Sequence, residues 1–168
     1  MKRIAALILL AGTMPLLGGC GLHPLYAAGD RGPVAQTLGT VEIGPIAGKN
    51  GWLVRTALED RLGKAGQSRY RLDVELDDQI LGVGVRTDNT VTRERRTLRA
   101  RYKLVDIEAG TVLLDATAGS DAGIDVVTSE YAVLAAEQSA LERLSGEVAD
   151  QIVARVALYA SHLKTAAR

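Results

Sequence analysis

Residues 69–77, RYRLDVELD, alternate without interruption. Tyr70, Leu72, Val74 and Leu76 face one way along an extended chain while Arg71, Asp73, Glu75 and Asp77 face the other, the pattern of a half-buried strand. After Asp77-Asp78 the apolar parity moves to Leu81, Val83 and Val85, which predicts a bulge or twist near Gly82 or Gly84. TDNT at 87–90 has turn chemistry. The chain then returns as a strand with Leu98, Ala100, Tyr102 and Leu104 on the buried side. If both strands bury the same face about a turn centred on Asp88, Asp73 stands opposite Lys103, Glu75 opposite Arg101 and Asp77 opposite Arg99. EAG at 108–110 turns the chain into a last strand, TVLLDATA, and GSDAGIDVV at 119–127 reads as a loop.

Outward from this meander, TVEI at 40–43 is a short alternating strand closed by Gly44-Pro45. Asn50-Gly51 opens a helix in which Leu53, Val54, Ala57, Leu58 and Leu62 recur at three- and four-residue spacing, ended by Gly63 and Gly66. From Ser129-Glu130 the longest stripe runs through Leu134, Leu141, Leu144, Val148, Ile152, Val156, Tyr159 and Leu163, an amphipathic helix with Gly146 as a candidate break. The predicted class is α+β: a four-stranded, mostly antiparallel sheet with two helices packed on one face, in the order β-α-β-β-β-α. The other face is left uncovered.

The first twenty residues read differently. Lys2 and Arg3 precede a mostly apolar run that is too short and too interrupted, by Gly12, Thr13 and Pro15, to span a bilayer. It ends at Leu17-Gly18-Gly19-Cys20, which resembles a bacterial lipobox and makes Cys20 the expected site of lipidation. The expected organisation is a signal peptide at 1–19, a lipidated Gly/Pro-rich tether at 20–37 and one domain at 38–168. Gly21, rather than Asp, after the cysteine implies by the same resemblance the outer membrane, facing the periplasm. Loss of 1–19 removes two basic residues and leaves a formal charge of −2. Such a chain offers no overall field for nucleic acid, and the basic stretch lacks the interleaved aromatics of an RNA binder.

One charged cluster stands out. TVTRERRTLRARYK, 90–103, holds Arg93, Arg95, Arg96, Arg99, Arg101 and Lys103 against a single Glu94. By parity Arg93, Arg95, Arg99, Arg101 and Lys103 line the uncovered sheet face. The acids of the neighbouring strand account for part of it, each cross-strand pair being worth about 0.2–1 kcal/mol. Toward the hairpin tip, Val83 is expected opposite Arg93 and Leu81 opposite Arg95, which leaves Arg86, Arg93, Arg95 and Arg96 short of acids. Guanidinium forks beside Leu81, Val83 and Val85 suit an anionic amphiphile. No catalytic or metal site is expected: His23 and His162 lie far apart, the lone cysteine belongs to the lipobox, and no serine sits in a nucleophile elbow. A cofactor is not expected either, since GVG at 82–84 is no phosphate loop.

The lipobox with CGLHPLY, GWLVRTALEDRL, RYRLDVEL, TRERRTLRARYKLVD with its EAGTVLLDA hairpin, and the final SEYAVLAAEQSALERLSGEVADQIVARVALYA helix together resemble the lipopolysaccharide-assembly lipoprotein family LptE in its alphaproteobacterial form. The likeness rests on the order of these segments across nearly the whole mature chain. It implies a non-enzymatic outer-membrane lipoprotein that plugs the β-barrel LptD, helps it assemble and assists lipopolysaccharide to the outer leaflet. Arg93, Arg95 and Arg96, then Arg99, Arg101 and Lys103, are its implied lipid contacts. An auxiliary lipoprotein of an ABC-type lipid transporter is the alternative with the same address; a periplasmic hydrolase lacks its nucleophile and base.

Overall fold

The computed structural model describes residues 32–63, 66–85 and 91–166. The signal peptide, Cys20, most of the tether, the TDNT turn and Arg86 lie outside the described residues. The elements are α1 (Pro33–Leu38), β1 (Val41–Ile43), α2 (Gly48–Leu62), β2 (Tyr70–Val85), β3 (Val91–Asp106), β4 (Val112–Asp125) and α3 (Glu130–Ala166). The strands form one mixed sheet in the order β1-β2-β3-β4, with β1 parallel to β2 and the other pairs antiparallel. The α+β expectation holds, with one helix more than predicted.

That extra helix, α1, falls in the expected tether. Pro33 suits the first helical position, and Val34 and Leu38 are buried in the core. Six residues are too few to display a helical period, so composition alone reads them as linker.

The β2–β3 register agrees with the parity argument from Tyr70↔Asp106 to Gly82↔Glu94. The predicted irregularity is present, with register shifts between Gly82 and Gly84 and between Gly84 and Val85. As a result Gly84, not Val83, stands opposite Arg93. The reading of 119–127 as a loop is corrected: β4 continues to Asp125. Ala118, Ala122 and Ile124 are buried on one side of it, whereas Gly119, Asp121, Gly123 and Asp125 occupy the other, and the glycines mask the alternation. Asp106 shapes the β3–β4 turn by accepting from the Glu108 and Ala109 N–H groups at 3.0 Å, and Gly110 takes the left-handed φ of 66° that closes it.

Both long helices cover the same face. Val54, Leu58 and Leu62 of α2 and Leu141, Leu144, Val148, Ile152 and Val156 of α3 meet Leu72, Val74, Leu98, Ala100, Tyr102 and Leu104 of the sheet. α3 is continuous through Gly146 for 37 residues, about 55 Å at 1.5 Å per residue, enough to run the length of the sheet. It begins at Ser129, whose Oγ accepts from the Ala132 N–H at 3.4 Å. Arg61 joins the helices, donating from Nε to Asp150 at 2.5 Å and from Nη2 to the Gly146 carbonyl at 3.2 Å.

Candidate functional site

The odd-numbered residues of β2, β3 and β4 build the face that the helices leave open, and β3 is its midline. Arg93, Arg95, Arg99, Arg101 and Lys103 stand on it as parity requires. Asp73 is opposite Lys103, Glu75 opposite Arg101, Asp77 opposite Arg99 and Leu81 opposite Arg95.

The ion pairs nevertheless form with the other neighbour. Arg101 donates to Asp115 at 3.1 and 2.9 Å, Arg99 to Asp121 at 3.4 Å and Arg93 to Asp125 at 3.0 Å, all on β4. The acids of β2 turn to their own strand: Asp73 takes Arg71 at 2.8 Å and Asp77 takes the Gln79 amide at 3.0 Å. Arg93 pairs with the acid directly opposite it, whereas Arg99 and Arg101 stand opposite Gly119 and Thr117 and reach the diagonal acids Asp121 and Asp115, which lie within range of long side chains. Gly119, directly opposite Arg99, supplies the room: a Cβ there would stand 2.5 Å from Arg99 Cδ. The expectation of β2–β3 salt bridges is thus corrected, although the register behind it is right.

These contacts tune the acids. The hydrogen bond from Arg101 holds the Asp115 carboxyl below its ordinary value, with the Lys103 charge assisting. Asp121 is held down first by the Thr97 hydroxyl, which donates at 2.7 Å, and then by Arg99 and Arg95. A shallow groove of about 430 Å³, lined by Glu75, Asp77, Arg99, Arg101 and Thr117, lies where the arginines lean away from β2.

Arg96 belongs to the opposite face. It is 8% exposed, donates to both Asp78 oxygens at 2.9 and 2.5 Å and reaches the Glu137 carbonyl of α3 at 2.9 Å. Asn50 of α2 completes the cluster with a 2.5 Å bond to Asp78. Four elements are clasped there. Its even number, shared with Leu98 and Ala100, marks this inward direction. On the helix side of the cluster, Lys49, Tyr131, Leu134 and Gln138 help line a cleft of about 490 Å³.

The picture of a partnerless basic tip is therefore corrected. Arg93 and Arg96 are paired, and among the described residues Arg95 and Lys103 are the cluster members without a hydrogen bond or ion pair. Across the face, Arg71 and the β3 cations are interleaved with Glu42, Asp73, Glu75, Asp77, Asp115, Asp121 and Asp125. Of the β4 acids, Asp115 falls in the predicted strand and Asp121 and Asp125 at odd positions of the supposed loop, so their alignment on one face is hidden by the loop assignment. Among the described residues no group of His, Cys, Asp and Glu is arranged to hold a metal ion, and no helix is long and apolar enough to cross a membrane. Guanidiniums held only by exposed carboxylates can exchange those partners for phosphate oxygens.

Comparison with known proteins places this architecture. A family model described as LptE, lipopolysaccharide-assembly, matches residues 38–156. A crystal structure of a Caulobacter crescentus protein described as a lipoprotein is 26% identical, with 78% of this chain and 97% of that one covered and a TM-score of 0.66. Rare lipoprotein B from Shewanella oneidensis shares the fold at 11% identity and a TM-score of 0.60, over 74% of this chain and 98% of that one. An uncharacterised protein of Rickettsia prowazekii is 23% identical over 144 residues, 86% of this chain and 90% of its own length.

Proposed function

The chain belongs to the LptE lipopolysaccharide-assembly family, and from that premise we propose that it is a non-catalytic outer-membrane lipoprotein, acylated at Cys20, that seats in the LptD β-barrel from the periplasmic side. There it helps the barrel assemble and assists lipopolysaccharide to the outer leaflet. The supporting observation is the family match over residues 38–156, a span that takes in all four strands. Several acyl chains at one end would hold the small domain at the bilayer, since each buried CH₂ adds about 0.8 kcal/mol.

On this reading the open sheet face meets the phosphates of the lipid. Arg95 and Lys103 are ready donors, whereas Arg93, Arg99 and Arg101 exchange exposed carboxylates whose pairs are worth about 0–1 kcal/mol. Arg96 serves the fold.

The decisive experiment is purification of tagged full-length protein from its own envelope in mild detergent. Stoichiometric recovery of a large β-barrel is the expected result. Recovery with an inner-membrane permease and a substrate-binding protein would replace this reading with that of an ABC-transporter auxiliary lipoprotein. Charge reversal at Arg93 and Arg95 together should weaken binding of purified lipopolysaccharide and leave barrel recovery intact; unchanged lipid binding would leave the strand a structural role only.

A further inference from the structure

We infer that the free edge of β2 at residues 79–85 is a strand-addition site for an uncharged, apolar, extended segment of a partner protein. This rests on the reading of a barrel-associated lipoprotein and names the surface that engages the partner. β1 pairs only with Tyr70, Arg71 and Leu72. The Tyr70 N–H donates to the Thr40 carbonyl and the Leu72 carbonyl accepts from Gly44, so the even residues of β2 turn their backbone groups toward β1. The ladder with β3 is regular up to Gly82, which places the N–H and C=O of Ile80 on that same side. Asn50 of α2 backs the strand as far as Asp78. Beyond it, among the described residues, no strand lies on the β1 side of β2.

Residues 79–83 are exposed on both faces, Leu81 by 57% and Val83 by 47%, and the run QILGVGV carries no charge. An edge of this kind is normally blunted. The opposite edge of the same sheet is: on β4, the Gln151 side chain of α3 donates to the Gly119 carbonyl and accepts from its N–H, both at 3.1 Å, and Asp115, Asp121 and Asp125 add charge. Among the described residues one edge is closed and the other open.

The backbone decides what fits. Hydrocarbon offers nothing to the free N–H and C=O groups, each unsatisfied group costing several kcal/mol in lipid. A second copy fits poorly, since a two-fold pairing of 79–85 about Gly82 would set the irregularity between Gly82 and Val85 of each copy against residues 79–82 of the other and break rungs at both ends. An extended segment from a different protein satisfies the backbone and covers Ile80, Leu81 and Val83.

Ile80→Pro is the sharp test. It deletes an N–H that takes no part in the β2–β3 ladder, a position where an edge strand tolerates proline. Full-length lipidated variants are compared by recovery of the β-barrel from the envelope. Ile80→Pro should lower recovery about tenfold, the worth of one to two backbone hydrogen bonds, while Ile80→Ala, which keeps the N–H and gives up only apolar cover, should lower it clearly less. Should Ile80→Pro melt early, the Leu81→Lys/Val83→Lys variant decides, with the same loss expected. Equal recovery by the blocking variants and wild type would overturn this inference and leave the proposed function standing. Failure of the wild type itself to bring down a barrel would overturn both. A dimer of the purified protein that Ile80→Pro abolishes would overturn the commitment to a different partner.

Discussion

Replacing Arg96 by leucine removes the base from an ion pair whose side chains are only 10% and 12% exposed. Asp78 would keep the Asn50 amide but lose both guanidinium bonds, and the Glu137 carbonyl would lose its donor. Breaking a buried pair from one side costs about 3–5 kcal/mol because the remaining charge stays desolvated. The surviving Asn50 bond puts Arg96→Leu near the lower end, about 3 kcal/mol, or roughly 10 °C in Tm for a body of this size. Arg99→Leu and Arg101→Leu, whose pairs are about half exposed, should each cost at most about 1 kcal/mol. In the double variant Arg96→Leu/Asp78→Leu neither charge is buried, and stability should return to within about 1 kcal/mol of wild type. Urea unfolding followed by far-ultraviolet circular dichroism, with unchanged slope, reads these differences. If Arg96→Leu proves no costlier than Arg99→Leu, or the double variant costs the sum of its singles, the clasp is not an electrostatically coupled unit.

Gly119→Ala places a Cβ 2.5 Å from Arg99 Cδ and 2.6 Å from its Nη1, so the arginine must leave Asp121. Because the Thr97 hydroxyl remains the larger cause of the depressed carboxyl, its NMR titration should move only part of the way back to the ordinary value; no movement would show that Arg99 does not act on it. Acid should destabilise the fold. Asp115, Asp121, Glu147 and Asp150 all have folded pKa values below their unfolded ones. Their contribution is complete above the unfolded values and is lost as pH falls through the folded ones. Tm should therefore be level between about pH 7 and 5 and fall below about pH 4, and a Tm that rises on acidification would contradict the assigned pairings.

Period-two patterning was enough to set the β2–β3 register, because a one-residue slip would have turned Leu72, Val74, Tyr102 and Leu104 out to water together. The same rule contains the direction of Arg96 and Asp78, whose even numbers place them with the core; grouping Arg96 with the basic tip by its charge passes over that pairing. Three features were hidden for physical reasons. α1 is shorter than two helical turns, so its two buried residues, Val34 and Leu38, show no repeat. The outer half of β4 carries glycine where an outward side chain would reveal the strand. For Arg99 and Arg101 the choice of β4 over β2 as the source of acids depends on diagonal reach and on the space at Gly119, neither of which opposition in a register encodes.

That choice bears on how the open face would work. A strand of unpaired arginines would cast a field beyond the protein and gather anions non-selectively from solution. Here each long-range contribution is offset by a carboxylate one strand away, so attraction develops only on contact, when a ligand oxygen replaces an aspartate in a guanidinium fork. Exchange of one exposed carboxylate gains little. A ligand presenting several phosphates at strand-residue spacing gains at Arg95 and Lys103 without displacing any partner, and adds Arg93, Arg99 or Arg101 by exchange. On the proposed reading, such a surface releases what it binds as readily as it takes it, and that suits a protein through whose reach a lipid passes rather than one that stores it.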